Sequence, residues 1–192
     1  LLDRQEQPPT ICTPQYLTAA IRSTAAAVRQ AMQQLRPATH VGTGWAVVDR
    51  VASSRRIRMP DGRIVARMSS TRDPMLKDLP EGVIDAKLRT VVFFDGQTPL
   101  VALHYYAMHP QSFYGDGRAS YDVPGIAREQ LERETKVVQI YVPGCGGNIT
   151  MGKYKDGTPE ARNALADRLY DAMAQSLRNV LREPVSLIQW KV

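Results

Sequence analysis

Apolar residues recur at helical and strand periods along most of the 192-residue chain, and the switches between the two periods outline its elements. After Thr13-Pro14, the positions Leu17, Ile21, Ala25, Val28, Met32 and Leu35 fall three or four apart, so the spacing predicts a capped amphipathic helix over 14–35 that Pro37 stops. Residues 40–48 read as a strand. The runs 88–94 and 100–108 are apolar and rich in β-forming residues, with the turn formers Asp95-Gly96-Gln97-Thr98 between them. Ile57 and Met59 alternate with polar residues before Pro60-Asp61-Gly62, and Ile64, Ala66 and Met68 follow it, which predicts a hairpin with its arginines on the solvated face.

Downstream, Asp122 is placed to cap a helix over 123–133, and 137–142 is a compact strand ending in Pro143-Gly144. Thr158-Pro159-Glu160 opens a further helix with Leu165, Leu169, Met173, Leu177 and Val180 on one face, and 185–192 closes as a strand. Helices and strands interleave, with hairpins among them. The pattern therefore predicts an α/β fold: a mixed β-sheet with helices packed on it, plus an Arg-rich β-hairpin.

A mass of 21.4 kDa fits one domain over 1–192 with a sizeable core, and 43% hydrophobic with 23% charged residues excludes disordered and collagen-like chains. No apolar run approaches the roughly 18 residues that a membrane span needs. The chain begins Leu1-Leu2-Asp3 without methionine, so an upstream segment is expected to have been removed. The net charge of +6 changes the picture only once it is located. Between residues 50 and 72 lie Arg50, Arg55, Arg56, Arg58, Arg63, Arg67 and Arg72 against the single acid Asp61, and the remainder balances at 18 bases and 18 acids. One functional reading follows directly: a non-catalytic binding module that uses the basic hairpin of residues 50–72 against an anionic partner. Nucleic acid is not an expected partner, because the segment lacks interleaved aromatic residues.

The segment Gly147-Asn148-Ile149-Thr150-Met151-Gly152-Lys153 satisfies the phosphate-loop spacing after a strand. Tyr154 occupies the hydroxyl position, however, and Asp156-Gly157-Thr158-Pro159 delays the helix whose amides would face a phosphate, so the segment reads as a glycine-rich connection. His104 and His109, five apart on one predicted strand, should point to opposite faces and not share a metal. His109, beside Pro110 and ahead of the polar loop 111–121, is the better candidate for chemistry. Cys12 and Cys145 form no metal spacing; Cys145 sits among glycines without a cysteine-protease signature and reads as a small residue in a tight loop.

Taken together, Leu103-His104-Tyr105-Tyr106-Ala107-Met108-His109-Pro110, Ser120-Tyr121-Asp122-Val123-Pro124-Gly125 and Gly147-Asn148-Ile149-Thr150 resemble the neutral/alkaline non-lysosomal ceramidase family over residues 36–175. The resemblance implies that the chain is a fragment of a larger ceramidase-like catalytic domain, a zinc-dependent hydrolase that cleaves the amide bond of an N-acyl sphingoid or related lipid-like substrate. It implies that His109 is a zinc ligand, that Thr150 stands where the family has its active-site serine, and that Arg55 faces the active site. In that chemistry a metal activates water and polarises the carbonyl while a cation and a hydroxyl steady the oxyanion. The family's first zinc histidine, in a His-x-His-Ser segment, would precede Leu1, and its glutamate and tyrosine ligands would follow Val192. Asn148 replaces the family's aspartate and Thr150 its serine. The resemblance also implies a small-molecule or lipid substrate, peripheral membrane contact, and a secreted or periplasmic location.

Overall fold

The computed structural model describes residues 13–113, 117, 119–185, 187 and 189. The chain divides into two compact units, Leu1–Pro37 and Ala38–Val192. In the first, helix α1 (Pro14–Met32) starts as the sequence predicts: the Thr13 hydroxyl accepts from the Tyr16 amide at 3.2 Å, and Pro14 fills a first-turn position that needs no donor. The helix stops three residues before the apolar period does.

The second unit runs β1 (His40–Val47), β2 (Ser53–Ser54), β3 (Arg56–Arg58), β4 (Ile64–Ala66), α2 (Pro74–Asp78), β5 (Lys87–Asp95), β6 (Thr98–Tyr106), α3 (Asp122–Thr135), β7 (Val138–Pro143), β8 (Ile149–Thr150), α4 (Pro159–Arg178) and β9 (Leu181–Pro184). Five strands form one sheet in the order β7-β6-β5-β1-β9, in which β6 and β7 are parallel and the other pairs antiparallel. The mixed sheet is the expected one, and its single parallel pair is the pair joined through a helix, α3. The predicted closing strand falls partly outside the described residues, and the edge is instead supplied by β9. Ala46, Leu88 and Tyr106 point into a core completed by Val123, Ala127 and Leu131 of α3 and by Leu165, Leu169 and Met173 of α4. The α4 cap is the predicted one, with the Thr158 hydroxyl accepting from the Ala161 amide at 3.2 Å.

One polar chain crosses this core. Gln139 donates its amide hydrogens to Thr135 Oγ1 at 3.1 Å and the Val137 carbonyl at 3.0 Å, which leaves Oε1 to accept. His104 Nε2–H therefore donates to Gln139 at 2.8 Å, and its Nδ1 accepts from the Thr90 hydroxyl, also at 2.8 Å; Ser176 donates to Thr90 at 2.6 Å. His104, Thr90, Gln139 and Ser176 are all buried, and burial pushes the imidazole below its ordinary pKa. The strand ends at Tyr106, so His109 lies three residues past it and is exposed. Of the two histidines, His104 is a satisfied core residue.

The hairpin forms as predicted, with Ile57 opposite Val65 and Met59 and Arg63 closing the turn at 2.8 Å. Arg56 and Arg58 are exposed, but the expectation that all its arginines face solvent fails at Arg67, which is fully buried. Its guanidinium donates to the carbonyls of Leu76, Leu79, Pro80 and Glu81 at 2.9–3.3 Å and reaches that of Ser54 at 3.5 Å. Arg67 follows the paired ladder, so the alternation that turns Arg56 and Arg58 outward does not govern it. The carbonyls at and beyond the end of the short α2 have no helical donors, and the two Nη groups of Arg67 fill that need, while its Nε has no partner among the described residues.

The segment after β7 runs hard against two other stretches of backbone. A Cβ on Gly146 would lie 2.9 Å from the Met108 carbonyl carbon, and one on Gly152 would lie 1.8 Å from the Met68 carbonyl oxygen. Gly152→Ala should accordingly lower stability by about 2 kcal/mol or more, read from the midpoint of urea denaturation, because the contact is with backbone that cannot rotate away. His104→Phe should cost about 3 kcal/mol, since the Thr90 hydroxyl hydrogen and Gln139 Oε1 each lose their partner in a buried position. The unfolded chain titrates this histidine near 6.5, above the folded value, so it binds the extra proton first. Stability present above that pH is then lost as the pH falls toward the folded pKa, a limb that His104→Phe should lack.

Candidate active site

Two consecutive carbonyls of the glycine-rich segment organise the candidate site. The Asn148 carbonyl accepts from the Arg55 amide at 2.8 Å, and the Ile149 carbonyl accepts from the His109 amide at 2.9 Å. Successive carbonyls of an extended chain point opposite ways, so β8 is held between β2 and the segment after β6. Ser53 pairs with Thr150 and Ser54 with Ile149, and the Ser53 hydroxyl bridges the junction by donating to the Thr150 carbonyl at 3.2 Å and accepting from the Lys153 amide at 3.1 Å. Arg55, His109 and Thr150, far apart in sequence, thus meet at one hydrogen-bonded junction.

Their side chains sit differently. His109 is exposed. Arg55 is half-buried: its Nη2 donates to Ser69 Oγ at 3.2 Å and to Gln111 Oε1, its Nη1 reaches the Gly147 carbonyl at 3.5 Å, and its Nε has no partner. Ser69 in turn donates to Gln111 Oε1 at 2.6 Å, so the guanidinium is fixed from two sides. Thr150 is fully buried, and its hydroxyl has no hydrogen-bond partner among the described residues.

Gln111 is held by three clamps on the loop that carries it. Asp122 lies at the start of α3 with φ 57, a left-handed conformation, and follows the N-cap position, which belongs to Tyr121; the expected cap is thereby corrected. From there its carboxylate accepts the Ser112 amide at 2.8 Å, the Ser112 hydroxyl at 2.7 Å, the Phe113 amide at 3.2 Å and the Val123 amide at 2.7 Å. A carboxylate at a helix N-terminus is favoured there by the exposed amides. Lys155 Nζ donates to the Gln111 carbonyl at 2.8 Å, and Arg162 donates to the Ser112 carbonyl at 3.3 Å while its guanidinium stacks 3.5 Å from the Phe113 ring centroid. Arg55, Met68, Ser69, Ser70, Gln111, Lys155 and Gly157 line a cleft of about 500 Å³.

Lys153, the lysine of the phosphate-loop spacing, donates to the carbonyls of Lys77 and Leu79 and so closes off that reading. Cys145 is exposed and free. Cys12 lies outside the described residues. No group of three or more His, Cys, Asp or Glu gathers among the described residues, so His109 does not have a metal's other ligands around it here. Gln111, Ser69, Lys155 and Arg162 escaped the sequence reading because nothing in their spacing marks them; the only available signal was the polar character of the loop that carries Gln111.

No family model matches the sequence, and no curated protein does. Among solved structures, the chain is similar to a ceramidase complexed with C2, at 14% identity and a TM-score of 0.51 over 74% of this chain and 23% of that one. It is likewise similar to the neutral ceramidase from Pseudomonas aeruginosa, at 14% identity and a TM-score of 0.56 over 81% of this chain and 25% of that one. The chain spans about a quarter of the length of these proteins. The resemblance read from the sequence thus holds for the fold: the chain has the architecture of part of a neutral ceramidase.

Proposed function

We propose that the chain forms part of the catalytic region of a ceramidase-like hydrolase, one that cleaves an amide bond in an N-acyl sphingoid or related lipid-like substrate. The single observation that carries this reading is the junction at β8, where the amides of Arg55 and His109 bond to adjacent carbonyls next to Thr150. Those three residues are the ones the family resemblance selects, and the fold is that of neutral ceramidases. Arg55, fixed by Ser69 and Gln111, is a pre-oriented cation for the charge that develops on a carbonyl oxygen as water adds to it. Thr150 contributes a buried hydroxyl that makes no hydrogen bond among the described residues.

Zinc belongs to this reading as a proposal about His109 alone. Catalytic zinc takes at least three protein ligands. One exposed imidazole does not make such a site, and the family resemblance places the remaining ligands outside residues 1–192.

The test is hydrolysis of an N-acyl sphingosine, with zinc content measured alongside, in the whole polypeptide in which this chain occurs. His109→Ala should lose both metal and turnover, and Arg55→Gln should lower kcat by about 10²- to 10³-fold. Thr150→Val gives the sharper outcome. Removing an unpartnered buried hydroxyl should leave stability unchanged or raise it by about 1 kcal/mol, while turnover falls. Unchanged zinc in His109→Ala, or unchanged turnover in Arg55→Gln and Thr150→Val, would remove these residues from the reaction.

A further inference from the structure

The cleft beside Arg55 holds more hydrogen-bond donors than the protein uses. Lys155 is 5% exposed and carries three N–H donors, of which one is spent on the Gln111 carbonyl. The Gln111 side-chain oxygen accepts twice, from Arg55 and Ser69, and its NH2 group donates to no described residue. Arg55 Nη1 has only the 3.5 Å contact to Gly147. The charges are equally one-sided. Arg55, Lys155 and Arg162 pair with no carboxylate among the described residues.

Two described carboxylates close to Lys155, Asp122 through its charge and Asp156 in sequence, are occupied elsewhere. Asp122 spends its oxygens on Ser112, Phe113 and Val123. Asp156 accepts from the Thr158 amide and hydroxyl and faces Lys77 at 3.6 Å. Placing an ammonium in a buried position without a counter-ion is costly, and burial indeed holds Lys155 below its ordinary pKa, with Arg162 pushing the same way and Asp122 opposing. A ligand oxyanion relieves both imbalances, since it brings acceptors and negative charge together.

We propose that the cleft lined by Lys155, Gln111, Ser69, Ser70 and Arg55 is a subsite for an oxyanion, a carboxylate or phosphate group carried by the substrate. Its use in turnover rests on the hydrolase reading above; the binding itself rests on the cleft. Within that reading, the N-acyl sphingoid or related substrate carries an acidic group that enters this cleft.

The proposal is tested by titrating inorganic phosphate, and separately acetate, into the protein while amide chemical shifts at Ser69, Ser70 and Gln111 are followed. Saturable shifts at these amides are expected, with affinity weakened about tenfold in Lys155→Met and recovered in Lys155→Arg. Phosphate alone assigns a phosphoryl group, acetate alone a carboxylate, and both the shared oxyanion chemistry. Ser70→Ala, which removes the hydroxyl that donates to the Lys155 carbonyl at 3.3 Å, is the second variant should Lys155→Met fail to fold; with an unchanged melting temperature it should weaken binding by loosening Lys155. No saturable shift with either anion, or equal affinity in the folded variants and the parent, overturns the subsite. Because these readouts need no turnover, loss of the hydrolase reading would leave them intact, and absence of anion binding would leave amide hydrolysis to be judged by its own assay.

Discussion

The close passage of the segment after β7 against two other stretches of backbone is the constraint on which the site depends. Gly146 and Gly152 stand where any side chain would meet the backbone of Met108 or Met68. With those approaches allowed, the carbonyls of Asn148 and Ile149 reach the amides of Arg55 and His109. The same segment sends Lys153 to the carbonyls of Lys77 and Leu79 and Lys155 to that of Gln111. Two lysines two residues apart thereby tie down two different loops, one below the hairpin and one beside the cleft. Displacing the segment by the width of a methyl group would disturb all of these contacts together, since packed backbone has little room to absorb a shift.

Buried charge in this unit is handled by dipoles rather than by ion pairs. Arg67 is surrounded by carbonyls and Asp122 by amides and a hydroxyl. The arrangement avoids an uncompensated ion, the costly outcome of desolvation, and it also fixes irregular chain. The stretch from Leu76 to Glu81 is organised around one guanidinium, and the loop from Ser112 to Phe113 around one carboxylate. Neither stretch has the hydrogen-bond ladder of a long helix or a sheet to order it. The ion pairs among the described residues, by comparison, involve mostly exposed groups and contribute little.

The regular elements were legible because period and capping are local properties. Thr13-Pro14 and Thr158-Pro159 announced their helices, and alternation with a Pro-Asp-Gly turn announced the hairpin. The two-residue strands β2 and β8 were not legible, since so short a pairing has no period and exists only because residues about a hundred apart are brought together. Arg56 and Arg67 are the same residue type in one basic stretch, yet one is exposed and the other buried. What separates them is the presence of bare carbonyls near Arg67, a fact of tertiary structure. His104 and His109 divide for a comparable reason: Thr90 and Gln139, from neighbouring strands, complete the first, while the second emerges past the strand end.

The basic patch therefore does not act as one surface. Arg67 is consumed by backbone, Arg63 is paired with Asp61, and Arg50 with Asp49. Arg56 and Arg58 face solvent from the outer side of a narrow ribbon. Arg72 donates to the Asp156 carbonyl at 2.9 Å, and Arg55 lines a cleft, where it joins Lys155, a lysine from outside the patch. Net charge counted along the sequence weights these arginines equally, but the field a ligand meets is set by which cations lack an internal partner and share a concave wall. By that measure the positive charge that the proposed oxyanion subsite would use lies where Arg55, at the base of the hairpin, meets Lys155 of the segment after β8.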